Sequence, residues 1–141
     1  MNPFFGQPAP KSTGRDLFNG PWLQARLAGH SGLPAQDVQA TLTELTARSC
    51  ADCMRQILPA AQRLIVCGGG ALNGYLMDRL QALLPGCVVA SSEAFGLPAL
   101  QVEATAFAWL AKQTMERKTA SLKSVPGARG ARILGAIYPA S

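Results

Sequence analysis

The chain has 141 residues, of which 48% are hydrophobic and 15% are charged, a composition typical of a globular domain and not of a disordered segment. Its net charge is +5, but the basic residues are spread out and are not interleaved with aromatic residues, which argues against a nucleic-acid-binding module. No apolar run reaches the ~20 residues of a membrane span, and the first residues lack a signal-peptide pattern. We therefore expect a single domain over residues 1–141, located in the cytoplasm.

The first half of the chain predicts two helices. Thr13 to Asp16 (T-G-R-D) resembles a capping box, with Thr13 as the N-cap. Pro21 to about Ala28 has the early proline and the following glycine of a short helix. From Pro34 to about Leu58 the apolar residues recur at helical spacing, which predicts a longer amphipathic helix.

The second half of the chain predicts strands that alternate with helices. Arg63 to Cys67 and Cys87 to Ser91 are short apolar runs, typical of a parallel sheet that is buried on both faces. A helix from about Asn73 to Leu84 lies between them, so the two strands should be parallel with a right-handed crossover. The prediction is an α/β fold with a short, mainly parallel sheet packed with helices.

The last third of the chain predicts one more helix and a small extension of the sheet. The helix runs from about Leu100 to Arg117, and because it is apolar on most sides we expect it to be buried. Thr119 to Ala131 is predicted to be a loop, and Arg132 to Tyr138 a final strand. Two or three strands make a small sheet, which looks like part of a larger one.

The four cysteines invite a metal or redox interpretation that the spacing does not favour. Cys50 and Cys53 form C-A-D-C, but there is no second pair of ligands at metal spacing, and the only histidine, His30, stands alone. We expect His30 to be solvated, and all four cysteines to be small buried apolar residues in a reducing compartment. No metal ligand is predicted.

Three consecutive glycines, Gly68 to Gly70, follow the first predicted strand and precede a helix that Asn73 can cap. Ligands of open α/β folds bind at the carboxyl ends of parallel strands, where a flat purine and its ribose can lie against bare backbone. The segment is not a phosphate-binding P-loop, because the characteristic lysine is absent. A tight turn with close helix packing would also explain the glycines, so both interpretations remain open.

Several longer motifs resemble those of a single family, the anhydro-N-acetylmuramic acid kinases. They are VCGGGALN, LMDRLQALLPG, VEATAFAWLA and SVPGARGARILGAIYP, preceded by PKSTGRDLFN and DVQATLTELTA. The resemblance implies a two-lobed sugar kinase with an actin/hexokinase-type (ribonuclease H-like) fold. It also implies ATP-dependent phosphorylation of 1,6-anhydro-N-acetylmuramic acid at O6. The anhydro ring opens in the reaction, and the product, N-acetylmuramic acid 6-phosphate, belongs to bacterial cell-wall recycling.

Members of this family are much longer, so the resemblance implies that the chain is the C-terminal portion of the second lobe. The glycine-rich phosphate loops and the aspartate that activates water belong to the missing part. No catalytic residue is therefore assigned here, and ATP, with Mg, would be held mainly by that part. We expect the chain alone to be inactive as a kinase.

The resemblance also implies binding residues. Gly68, Gly69, Gly70 and Asn73 match the adenosine-side motif of the family, and Glu103 matches a glutamate that faces the sugar. A carboxylate in the first turn of a helix is equally explained by the helix dipole, so both roles of Glu103 remain open.

A different class of function is a non-catalytic interaction or dimerisation module derived from such a kinase. Half of a lobe would expose sheet edges and apolar surface. The missing lobe or a second copy of the chain would cover this surface.

Overall fold

The structure is a computed structural model that describes residues 3–8, 11–30, 32–121 and 130–139. The chain divides into two units, Met1–Ala60 and Ala61–Ser141, and each is described by itself below. The expectation of a single domain over residues 1–141 stays a prediction. Within the described ranges, no helix combines the length and the apolar character that a membrane span requires.

The first unit contains three helices, α1 (Pro3–Gly6), α2 (Gly20–Leu27) and α3 (Ala35–Ile57). The two helices predicted from the sequence are α2 and α3, and both are confirmed within one or two residues at each end. The tightest packing is along α3, where Ala47 and Ala51 are fully buried.

The predicted capping box at Thr13 is wrong. The N-cap of α2 is Asn19, whose Oδ1 accepts a hydrogen bond from the backbone N–H of Trp22 at 2.9 Å. Asp16 does reach back, but its Oδ1 accepts from the backbone N–H of Gly14 at 3.0 Å. A short acidic side chain that binds a backbone amide two residues away stabilises a turn. The helix therefore begins only at Gly20, directly after the Asn19 cap.

An aromatic cluster of Phe4, Phe5, Phe18 and Trp22 holds α1 against the start of α2, with the Phe18 and Trp22 ring centroids 5.0 Å apart. Lys11 completes this arrangement. Its Nζ donates to the carbonyl oxygen of Phe5 at 2.9 Å and lies 5.3 Å from the centre of the Phe4 ring. A cation at the carbonyl end of a helix is favourable, so Lys11 has a structural role here.

The second unit alternates strands and helices in the order predicted. Its regular elements are β1 (Arg63–Val66), α4 (Gly74–Leu83), β2 (Val88–Ser91) and α5 (Val102–Met115). Short 3-10 helices cover Gly69–Leu72, Ser92–Phe95 and Ala99–Gln101. The two strands are parallel, with Arg63 opposite Val88 and Val66 opposite Ser91. This confirms the α/β class.

The prediction that the strands and α5 are buried is wrong for the described chain. Ile65 in β1 is 48% exposed and Val88 in β2 is 60% exposed. No residue of α5 is buried, and its Phe107 and Trp109 are 64% and 50% exposed. Apolar sequence predicts burial only where another layer packs on it, and the described residues supply too few elements to cover these faces.

The predicted final strand, Arg132 to Tyr138, is also absent, since residues 131–139 form no regular element. Gly135 has a left-handed φ of +97°, which no strand residue adopts. The hydroxyl of Thr114 in α5 donates to the carbonyl oxygen of Leu134, so this segment lies against the end of the helix. The predicted loop, Thr119 to Ala131, falls mostly outside the described residues.

The cysteines are not uniformly buried as predicted. Cys87 is buried and Cys50 is half-buried, whereas Cys53 and Cys67 are exposed, and all four are free thiols. Cys53 lies on an outward face of α3, and Cys67 directly follows the last residue of β1. Burial, and secondly the neighbouring Cys53, raises the pKa of the Cys50 thiol. His30 is exposed, as expected.

Candidate functional site

The glycine turn, Gly68 to Gly70, lies directly beyond the carboxyl end of β1. Gly68 has a φ of +70°, a left-handed conformation that glycine adopts without the steric cost of a Cβ. Its backbone N–H donates to the carbonyl oxygen of Ala99 at 2.8 Å. The first glycine is therefore explained by the turn itself.

The other two glycines need a different explanation, because neither has a positive φ. A Cβ at Gly70 would lie 3.4 Å from Cδ2 of Leu76, so close packing against α4 accounts for at least part of its role. A Cβ at Gly69 would meet no atom within 4 Å. Neither backbone strain nor packing within the described chain requires a glycine at this position. Gly69 presents open main chain, which is the feature that a flat ligand could use.

Asn73 ends the 3-10 helix that begins at Gly69 and is the N-cap of α4. Its Oδ1 accepts a hydrogen bond from the backbone N–H of Leu76 at 3.1 Å, so the capping role is present in the structure. The side chain is exposed, and its amide nitrogen makes no hydrogen bond to any described residue. Asn73 can therefore cap the helix with its oxygen while its nitrogen remains available to a ligand.

Glu103 lies in the first turn of α5 and is exposed. A carboxylate there stabilises the positive end of the helix dipole, and no described residue forms a salt bridge with it. The bond from Gly68 to Ala99 brings the residues that precede α5 next to the glycine turn. Ala99, which contacts the turn, is therefore four residues before Glu103 in the sequence. A contact of Glu103 with sugar stays a prediction.

The end of β2 adds a residue that the sequence patterns did not single out. Ser92 follows Ser91, which pairs with Val66 at the end of β1. Ser92 is only 6% exposed, and its hydroxyl has no hydrogen-bond partner among the described residues. The sequence could have indicated Ser92 as a candidate site residue, because it directly follows a predicted strand. Side chains at the carboxyl edge of a parallel sheet commonly bind ligands.

Metal ligands do not converge in the described residues. No three histidine, cysteine, aspartate or glutamate side chains of this part of the chain lie close enough together to hold a cation. The described residues therefore provide no obvious set of ligands for a Mg ion that accompanies a nucleotide.

Comparison with known proteins gives a consistent result across the chain. The family model for anhydro-N-acetylmuramic acid kinase matches residues 1–140. A protein of that name from Albidiferax ferrireducens is 64% identical over 138 residues, which are 98% of this chain and 36% of that protein. Those from Variovorax paradoxus and Pseudomonas paraeruginosa are 59% and 53% identical, and the matches cover 99% and 97% of this chain. The chain spans only 36% to 38% of the length of these relatives.

Proposed function

The chain belongs to the anhydro-N-acetylmuramic acid kinase family, and we propose that it forms the adenosine side of the ATP site in a longer kinase polypeptide. The complete protein would transfer the γ-phosphoryl group of ATP to O6 of 1,6-anhydro-N-acetylmuramic acid and open the anhydro ring by hydrolysis. The proposal includes an actin/hexokinase-type, ribonuclease H-like lobe of which this chain is the C-terminal portion, and a place in cytoplasmic cell-wall recycling.

The observation that carries this proposal is the open main chain at Gly69. It lies at the carboxyl end of a parallel strand, where a purine can pack flat against peptide groups without meeting a side chain. The amide nitrogen of Asn73 would then donate to the nucleoside while its oxygen caps α4. Gly68 shapes the turn, and Gly70 allows Leu76 to pack beneath it.

The share of the mechanism that falls to this chain is binding and orientation. Phosphoryl transfer depends mainly on holding donor and acceptor in line and on stabilising the charge that develops. A fixed adenosine sets the direction of the phosphate chain, and Glu103 would hold one edge of the sugar. We propose that the phosphate loops, the catalytic aspartate and the ligands of Mg lie outside this chain.

A chimera tests the proposal. The 138 matched residues of the Albidiferax ferrireducens kinase would be replaced by this chain, and phosphorylation of 1,6-anhydro-N-acetylmuramic acid would be measured beside the parent enzyme. We expect the chimera to be active and the isolated chain to be inactive. A chimera that folds but does not phosphorylate the sugar would contradict the proposal, as would activity of the pure chain.

A non-catalytic interaction module is the second candidate, and the exposed side of α5 favours it. Phe107 and Trp109 expose large apolar surfaces that isolated soluble domains rarely leave uncovered. Sedimentation of the chain over a range of concentrations distinguishes the two candidates. A stable dimer that binds no ATP favours the module, whereas an ATP-binding monomer favours the kinase.

A further inference from the structure

Three sulfur-containing side chains share one face of α3. Cys50, Cys53 and Met54 occupy positions i, i+3 and i+4 of this helix. Side chains at these spacings are neighbours, with Cβ atoms about 5–6 Å apart. Helical side chains also point back toward the N-terminus of the helix, so Cys53 and Met54 both lean toward the turn that carries Cys50. The geometry of one helix thus brings two thiols and one thioether together.

The three side chains differ in their exposure to solvent. Cys50 and Met54 are half-buried, whereas Cys53 is exposed, and both cysteines are free thiols. An exposed thiol gives an ion access from solvent, and the two half-buried side chains offer it a less hydrated position beside the helix. The C-A-D-C motif therefore has an accessible member, which a pair of fully buried cysteines would lack.

The carboxylate within this motif is already paired. Asp52 lies between the two cysteines in the sequence, and its Oδ1 accepts a hydrogen bond from Nη1 of Arg55 at 2.6 Å. In the part of the chain that the structure describes, no three histidine, cysteine, aspartate or glutamate side chains form a set of ligands. Two thiols and a thioether are a set of another kind, because sulfur prefers soft ions and hard cations such as Mg prefer oxygen.

The number and chemistry of these ligands favour one ion. Thiolate and thioether ligands select Cu(I), Zn and iron–sulfur clusters. Structural Zn sites take four ligands, and iron–sulfur clusters are held by four cysteine thiolates, so two thiols and a thioether are too few for either. Of the three, Cu(I) is the ion that this set of ligands fits.

We propose that Cys50, Cys53 and Met54 bind one Cu(I) ion on α3. The two thiols lose their protons to solvent, the two thiolates form Cu–S bonds, and the Met54 sulfur donates a lone pair to the ion. No electron is transferred in this step. The bound ion links two successive turns of α3 and stabilises the folded chain. The inference does not depend on the proposed function, because α3 belongs to the first unit and the glycine turn to the second.

Competition for Cu(I) in the absence of oxygen tests this inference with the full chain. The chain would be titrated against the coloured complex of Cu(I) with bicinchoninate, and we expect it to withdraw one ion per chain. Loss of a group that only orients a metal ligand costs affinity about 10–100-fold, so loss of a thiolate in Cys50→Ser or Cys53→Ser should cost at least about 100-fold. Cys67→Ser is the matched control, because Cys67 is an exposed free thiol of the second unit, and it should keep the wild-type affinity.

Met54→Leu distinguishes a site with three sulfur ligands from one with two. Leucine keeps the approximate volume and the apolar character of methionine but removes the sulfur, so α3 should fold as before. The affinity for Cu(I) should fall at least about tenfold. X-ray absorption should show three sulfur neighbours around the ion in the wild type and two in the variant. Two sulfur neighbours in both proteins, with equal affinity, would overturn the assignment of Met54.

The remaining outcomes also decide the inference. Circular dichroism shows whether each variant is folded, and if the chain does not fold alone, the same substitutions are compared within the chimera defined above. Undiminished Cu(I) affinity in Cys53→Ser, lost affinity in Cys67→Ser, or tighter binding of Zn(II) than of Cu(I) would overturn the site. Half an ion per chain, with dimers in sedimentation, would place the ion between two copies and overturn it as well.

Discussion

The backbone N–H of Gly68 donates a 2.8 Å hydrogen bond to the carbonyl oxygen of Ala99, and this bond joins the glycine turn to the residues that lead into α5. Ala99 is itself 1% exposed, so its carbonyl oxygen is fixed in a packed environment. The two segments that carry the candidate site are therefore held together by main chain. A change in the conformation of Gly68 should disturb both.

Gly68→Ala should destabilise the chain by about 1–2 kcal/mol, because a Cβ is unfavourable at a φ of +70°. Gly69→Ala is the matched control, since its φ is not positive and its Cβ would meet no atom within 4 Å. We expect the control to lie within about 0.5 kcal/mol of the wild type. Urea denaturation followed by circular dichroism measures both. Equal losses at the two positions would contradict the assigned geometry.

Gly69→Val should weaken ATP binding at least about tenfold in the chimera, which corresponds to about 1.4 kcal/mol, because the side chain occupies the open space proposed for the nucleoside. Gly69→Ala should have a smaller effect, since its single methyl group takes up less of that space. Calorimetric titration with ATP gives the affinities, and the urea midpoint shows that each variant is folded. Unchanged affinity in folded Gly69→Val would remove the adenosine site from this turn.

The sequence predicted this turn well because its signals are local. The run from Arg63 to Val66, the glycines and the cap at Asn73 depend on backbone conformation within a few residues, and the structure has each of them. The sequence alone did not show which structural requirement each of the three glycines meets. Gly68 has a left-handed φ, Gly70 packs against a leucine, and Gly69 has neither constraint, a difference visible only in three dimensions.

Predictions of burial failed where they depended on distant partners. The apolar residues of α5 indicated a buried helix, but Phe107 is 64% exposed because burial needs a second layer as well as an apolar sequence. Ser92 was missed for a related reason, since its burial and its lack of a hydrogen-bond partner are visible only in the folded chain. The capping box predicted at Thr13 was wrong because Asn19 caps the helix instead. The side-chain oxygen of Asn19 accepts from the N–H of Trp22, and its carbonyl oxygen accepts from the N–H of Leu23.

Asn73→Ala should destabilise the chain by about 1 kcal/mol, since the N–H of Leu76 loses its acceptor at the start of α4. Asn73→Asp keeps an oxygen acceptor in place and should retain most of the stability. The same variant replaces the amide nitrogen with a second oxygen, so it should still weaken ATP binding if that nitrogen contacts the nucleoside. Thermal melts and ATP titration of the two variants separate the roles. Full ATP affinity in Asn73→Asp would leave capping as the only function.

The pH dependence of stability should contain a contribution from Cys50, whose pKa is raised from an ordinary 9.0, first by burial and then by Cys53. The folded chain holds this proton more tightly than the unfolded chain, so the stabilisation is present at neutral pH. It is lost as the pH rises from about 9 through the raised pKa. Cys50→Ala should reduce the fall in unfolding free energy between pH 8 and pH 10, roughly the range of thiol ionisation. An unchanged slope in Cys50→Ala would contradict this assignment.

Gln81→Leu should leave the main-chain groups on the side of β2 that faces away from β1 without hydrogen-bond partners. The variant loses the acceptor of the Val89 N–H and the donor to the Cys87 carbonyl oxygen, which should lower the free energy of unfolding by about 1–3 kcal/mol. It also leaves an unpaired strand edge next to an apolar side chain, a combination that promotes association between sheets.

Gln81→Glu is the control, because it keeps an acceptor for Val89 and adds a charge that opposes strand addition. Sedimentation should show more self-association for Gln81→Leu than for Gln81→Glu, with faster amide exchange at Val89 in the monomeric fraction. If Gln81→Leu remained monomeric with a protected Val89 amide, something other than this glutamine would be closing the edge.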